Sequence, residues 1–125
     1  MAEKSYTRFV VNGEEFELKF CLEAIRLLDE NGGPMQFVSQ TMQGGITNFI
    51  DVIYYALIHT AKGITYDAVQ KEVEKLFNDQ KLDLDEILKY NKAVVLNSFF
   101  FQKTVKKLLA TMTAEQQKSF ENLYA

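Results

Sequence analysis

Three side chains able to move protons, Asp51, Tyr55 and His59, recur every four residues and share one face of any helix built there. A carboxylate beside an imidazole is a proton-transfer pair or half of a metal site. A hydrolase using Asp51 and His59 needs a third partner and a nucleophile, and the sequence offers neither a nucleophile elbow nor a metalloprotease spacing. With one histidine, His59, and one cysteine, Cys21, a nitrogen- and sulfur-rich metal site is out of reach. Thr47 and Lys62 extend the same strip, which an amphipathic helix needs opposite its apolar face in any case. The expectation here is a polar helix surface.

Asp79, Asp83, Asp85 and Glu86 hint at calcium, but an EF-hand loop needs alternating oxygen ligands, a central glycine and a late bidentate glutamate. The glycine is missing, and Leu82 and Leu84 interrupt the acids, so helix capping accounts for them better. Gly32-Gly33 and Gly44-Gly45 follow no strand and lack the Lys-Ser/Thr of a phosphate loop. No catalytic residue, metal or cofactor is expected, and the chain does not read as an enzyme.

Phe99, Phe100 and Phe101 are more informative. If Phe101, Val105, Leu108 and Met112 define a buried helix face, Phe100 lies about 100° away, near Lys103 and Lys107, and Phe99 lies nearer Lys106. Either the helix is buried on several sides, or Phe99, Phe100, Lys103 and Lys107 form an aromatic and basic surface for a partner.

The elements that must position these groups follow from spacing. Residues 46–61 carry Ile46, Phe49, Ile50, Ile53, Leu57 and Ala61 at steps of three and four, widened by Tyr54 and Ile58. That predicts a central helix around which the chain is organised. Asn12-Gly13 predicts a type I′ turn in a hairpin over residues 6–20, pairing Val11 with Glu14, Phe9 with Phe16, Arg8 with Glu17 and Thr7 with Leu18. Thr7, Phe9, Val11, Phe16, Leu18 and Phe20 then share one face, and a one-residue slip would expose it.

Helices follow from residue 22 onward. The first turns Leu22, Ile25, Leu27 and Leu28 inward and stops at Asn31-Gly32-Gly33-Pro34. Met35, Val38 and Met42 predict a short helix closed by Gly44-Gly45. Beyond the central helix, Thr65 is an N-cap, with Tyr66, Val69, Val73, Leu76 and Phe77 as one apolar seam. Asp83 to Glu86 has capping-box form and opens a helix with Leu84, Ile87, Leu88 and Val95. Asn97-Ser98 breaks the chain before a helix over residues 99–112. Thr113 to Gln116 repeats the capping-box spacing, and the tail after 112 either forms a short amphipathic helix or frays.

The fold class expected is mainly α with a short N-terminal β-hairpin (α+β): one domain over residues 1–125, a compact multi-helix bundle. Its 125 residues suit one core, 47% of them are hydrophobic, and the net charge is −3. That balance gives no general pull toward nucleic acid or an anionic membrane. A lone cysteine excludes an internal disulfide, MAEKSYTRF lacks the apolar core of a signal peptide, and no apolar run is long enough for a membrane span. Cytoplasm is the expected compartment.

In order and spacing, VNGEEFELKFCLEAIRLLDENGG, FIDVIYYALIHTAKGITYDAVQKEVEKL and DLDEILKYNKAVVLNSFFFQKTVKKLL resemble a family of phage tail assembly chaperones, found in long-tailed phages and prophages of Gram-positive bacteria. The resemblance covers residues 9–109; residues 34–45 and the tail after 112 are less typical. It implies a non-catalytic assembly factor that binds the tape-measure protein, a very long helical chain, and keeps it soluble while tail-tube subunits polymerise. It also implies work in the host cytoplasm, absence from the mature virion, and a longer frameshifted form that recruits the tail-tube protein. A long helical client suits helix-in-groove contact at Phe99 and Phe100, with Met35 and Met42 as adaptable neighbours. Strand addition at the hairpin edge would build homo-oligomers. The alternative function is a small helical phage DNA-binding regulator, which predicts a basic recognition face and steep salt dependence; the acidic balance opposes it.

Overall fold

The computed structural model describes residues 5–123. It is mainly α, with a two-stranded antiparallel hairpin ahead of seven α-helices among the described residues. Strands β1 (Arg8–Val11) and β2 (Glu14–Glu17) pair in the expected register, with Phe9 opposite Phe16 and Val11 opposite Glu14. Asn12 (φ 54°) and Gly13 (φ 80°) both take the positive φ of a type I′ turn. Phe9, Val11, Leu18 and Phe20 are buried, Phe16 is half-buried, and Thr7, expected on that face, is exposed. Arg8 lies opposite Glu17, yet its guanidinium pairs with Glu15, within reach of a long side chain on a diagonal.

The Phe face meets two aromatic clusters. Phe9 packs edge-on against Phe49 and Tyr90, and Phe20 packs edge-on against Phe37 and Phe101. Just past β2 the chain is tied to the end of the central helix: Lys19 N–H donates to the Ala56 carbonyl at 3.0 Å. His59 Nε2–H donates to the Glu17 carbonyl at 2.7 Å, since a carbonyl can only accept.

Helices α1 (Leu22–Glu30) and α2 (Pro34–Gln43) meet at the expected glycine break, where Gly33 N–H returns to the Leu28 carbonyl at 2.8 Å. Ala24 takes an inward place assigned to Leu22, which is exposed, and Leu27 is half-buried. In α2, Val38 and Met42 are buried as expected, Met35 is exposed, and Phe37 is a core residue.

The central helix α3 (Ile46–Ala56) spans 11 residues, shorter than the 46–61 expected, and gives way to a 3₁₀ turn at Ile58–Thr60. The tightening has a local cause: the Thr60 hydroxyl and N–H both donate to the Leu57 carbonyl. Ala61 then turns to φ 54° and leaves the apolar face it was expected to join. Phe49, Ile53 and Leu57 are buried, joined by Val52 and Ala56, while Ile46 is exposed. The helix packs against α2, α4 and α5, so its role as organiser stands.

Helix α4 (Tyr66–Asn78) begins where Thr65 accepts the Ala68 N–H, and α5 (Leu84–Asn91) where Asp83 accepts the Glu86 N–H. Leu84, expected inward, is exposed. Beyond α5 the coil widens into a π-helical segment, Lys92–Leu96, marked by a bond from Asn97 N–H to the Lys92 carbonyl. A turn at Asn97 and Ser98 leads to α6 (Gln102–Ala110), so the last helix face starts three residues later than expected. Helix α7 (Ala114–Leu123) decides the tail as a helix, opened by reciprocal Thr113–Gln116 bonds of 2.9 and 3.1 Å.

Two asparagines are buried. Asn91 Nδ2 donates to the Thr41 carbonyl at 3.1 Å, tying α5 to α2, while its Oδ1 has no partner among the described residues. Both amide atoms of Asn48 are likewise without one, and each such buried atom costs about 1–3 kcal/mol.

Candidate partner-binding surface

The turn between the π segment and α6 decides where the three phenylalanines go. Phe101 N–H and Gln102 N–H both donate to the Ser98 carbonyl, closing a tight loop that aims Phe101 inward. Phe101 is fully buried, Phe100 is 42% exposed and Phe99 is 85% exposed. Phe100 rests edge-on against Phe101, with ring centroids 5.2 Å apart. Neither exposed ring belongs to α6, so the 100° helical offset from Phe101 does not describe Phe100. Lys103 and Lys107 lie exposed on α6, one turn apart, on the side opposite buried Val105.

The proton-handling strip is dismantled by its neighbours. Asp51 lies near Tyr66 of α4, whereas His59 serves the hairpin, so the imidazole is committed away from the carboxylate. Asp51, Tyr55 and His59 are half-buried rather than a solvent-facing strip. Burial pushes the Asp51 carboxyl above its usual value, and the Tyr66 hydrogen bond partly offsets this. Burial, then the Asp51 hydrogen bond and charge, push Tyr66 up to about 12. These groups join α3 to α4.

The acidic residues near α5 divide in the same way. Asp83 caps α5, Asp85 pairs with Lys89 at 3.0 Å, and Glu86 accepts the Tyr6 hydroxyl at 3.2 Å. Among the described residues no three His, Cys, Asp or Glu side chains gather as a metal site, and no helix is long and apolar enough to cross a membrane.

Two grooves, one of mixed lining and one apolar, escaped the sequence reading. One of 710 Å³ runs between α2, α6 and α7, with Met42, Leu108, Met112 and Phe120 in its lining. The other, 440 Å³, lies between α3 and α4 over Ile46, Ile50, Val73 and Phe77. Phe77, 59% exposed, was expected in the α4 core seam. It falls about 70° from the middle of the Val69–Val73–Leu76 stripe, so a narrow neighbour leaves it at the edge. That angle was the available signal.

A family model described as phage tail assembly chaperone protein matches residues 8–110. The chain belongs to the phage tail assembly chaperone family. The match begins with β1 and ends with α6, leaving the chaperone's α7 outside it. No curated protein and no solved structure matches the chain. Tail assembly chaperones are generally non-catalytic, and in this chaperone Asp83 caps a helix and His59 ties down the hairpin.

Proposed function

We propose that this chaperone binds the tape-measure protein and keeps it soluble during tail assembly, using Phe99 and Phe100 with Lys103 and Lys107 as its contact surface. The observation that carries the reading is the pair of phenylalanines held at the surface by the Ser98 turn, within a chain of this family. Exposed aromatic surface is unfavourable in water and rewards a use. A long helical client presents amphipathic faces that such a surface can cover.

The setting follows from the same reading: the cytoplasm of a Gram-positive host, release before the virion is finished, and a longer frameshifted form that recruits the tail-tube protein. Self-association at the hairpin uses strand addition at its edge.

Coexpression with the tape-measure protein tests the function. The client is expected in the soluble fraction with the wild-type chain and in the pellet without it. Phe99→Ser with Phe100→Ser is expected to cut the soluble fraction several-fold while leaving the far-UV circular dichroism unchanged. Equal client aggregation with and without the wild-type chain removes the function, and full solubilisation by the double variant removes the aromatic surface.

A further inference from the structure

The charges of this chain are unevenly divided. Residues 87–114 hold five lysines and no acidic residue, whereas the remainder carries nine basic and seventeen acidic side chains, a balance of −8. Of the five, Lys89 is paired with Asp85. Lys92, Lys103, Lys106 and Lys107 are exposed and have no ion pair among the described residues.

Three of these line up. Lys103, Lys106 and Lys107 stand at i, i+3 and i+4 on α6, opposite the side that carries Val105, Leu108 and Leu109. Like charges at this spacing repel, so the stripe disfavours the free helix. An opposing anionic face relieves that repulsion. Ahead of the stripe stand the exposed rings of Phe99 and Phe100. Apolar anchors at one end and a row of cations along a helix form the complement of one kind of ligand.

We infer that the α6 stripe and the Phe99–Phe100 turn receive an acidic amphipathic helix, with its apolar residues on the two rings and its carboxylates along Lys103, Lys106 and Lys107. This rests on the chaperone reading and specifies the chemistry of the client segment. A protein helix is favoured over nucleic acid because it can confine its carboxylates to the length of the stripe, whereas a polyanion extends past it onto residues whose balance is −8.

The test is fluorescence anisotropy with the full chain and three labelled 20-residue helical peptides of common design. One carries leucines at one end and glutamates along the same face, one replaces the glutamates with lysines, and one keeps the glutamates but replaces leucine with alanine. The acidic amphipathic peptide is expected to bind at least tenfold more tightly than either control and to weaken as salt rises. Lys103→Glu, Lys106→Glu and Lys107→Glu together are expected to weaken it at least tenfold and to improve binding of the lysine peptide, a gain that misfolding cannot produce.

Equal binding of the acidic and lysine peptides, or an unchanged affinity in the triple variant, overturns the inference. So does an equal or higher affinity for single-stranded DNA or anionic phospholipid vesicles on the same lysines. Coexpression separates the two levels. If the triple variant still solubilises the tape-measure protein while the Phe99/Phe100 variant does not, the charge inference falls and the chaperone function stands. If the wild type fails to solubilise it, the function falls while the peptide result still decides the charge inference.

Discussion

The surroundings of Asp51 change its chemistry, and the consequence is measurable. Burial raises its folded pKa above the ordinary 3.8, so the fold prefers the neutral carboxyl. That contribution to stability is complete below the ordinary value and is lost as pH rises through the raised one. Asp51→Asn mimics the neutral acid and keeps an oxygen for the Tyr66 hydroxyl. Its melting temperature is expected to match the wild type at acidic pH, then exceed it increasingly through the carboxylate range to a plateau by neutrality. The same substitution removes the charge beside Tyr66, so ultraviolet titration should move that phenol down from about 12 toward 10.0. A difference that shrinks with rising pH would contradict the assignment. The sequence showed Asp51 on a helix face with Tyr55 and His59, but not its partner. Tyr66 lies on the next helix, and only packing brings it there.

Among the elements, the hairpin and the caps were legible because their signals are local. Asn12-Gly13 fixes the turn, alternation fixes the face, and Asp83 and Thr113 reach N–H groups three residues on. Helix beginnings were not. Leu22, Met35, Ile46 and Leu84, all read as inward, are exposed and stand at the first or second position of α1, α2, α3 and α5. Helical side chains lean toward the N-terminus, so a first-turn residue projects past the packed part of its helix. Periodicity cannot register that, because it has no knowledge of where the neighbour ends. Two glycines make a graded test of turn geometry. Gly13 (φ 80°) has open space where a methyl would go, so Gly13→Ala is expected to cost about 1–2 kcal/mol from backbone strain alone. At Gly44 (φ 78°) the methyl would also lie 3.0 Å from Leu88 Cδ2, and overpacking adds about 1–3 kcal/mol. Urea denaturation should rank Gly44→Ala as the more damaging; the reverse order would contradict this account of the α2–α3 corner.

For the whole molecule, the expected organisation around one apolar helix holds, although α3 is shorter than expected and the hairpin's Phe16 is only half-buried. The three-way division of the phenylalanines at 99–101 was legible only as a conflict, since three neighbours cannot share one direction; the Ser98 turn resolves it. The family match stops at residue 110, which marks α7 as an addition to a unit that already contains both aromatic clusters. A chain ending at Met112 is therefore expected to melt cooperatively, with a loss of roughly 1–3 kcal/mol from half-buried Phe120. Loss of the cooperative transition in calorimetry would make α7 part of the core. The π-helical segment has a different implication. A widened coil is the form an ordinary helix takes when it absorbs an inserted residue without rotating the downstream chain. Between Lys92 and Leu96 the polypeptide thus holds one amino acid of slack. A deletion there can relax to a regular coil and still deliver Phe101 to its seat, whereas the same deletion in α3 would swing its later face by about 100°.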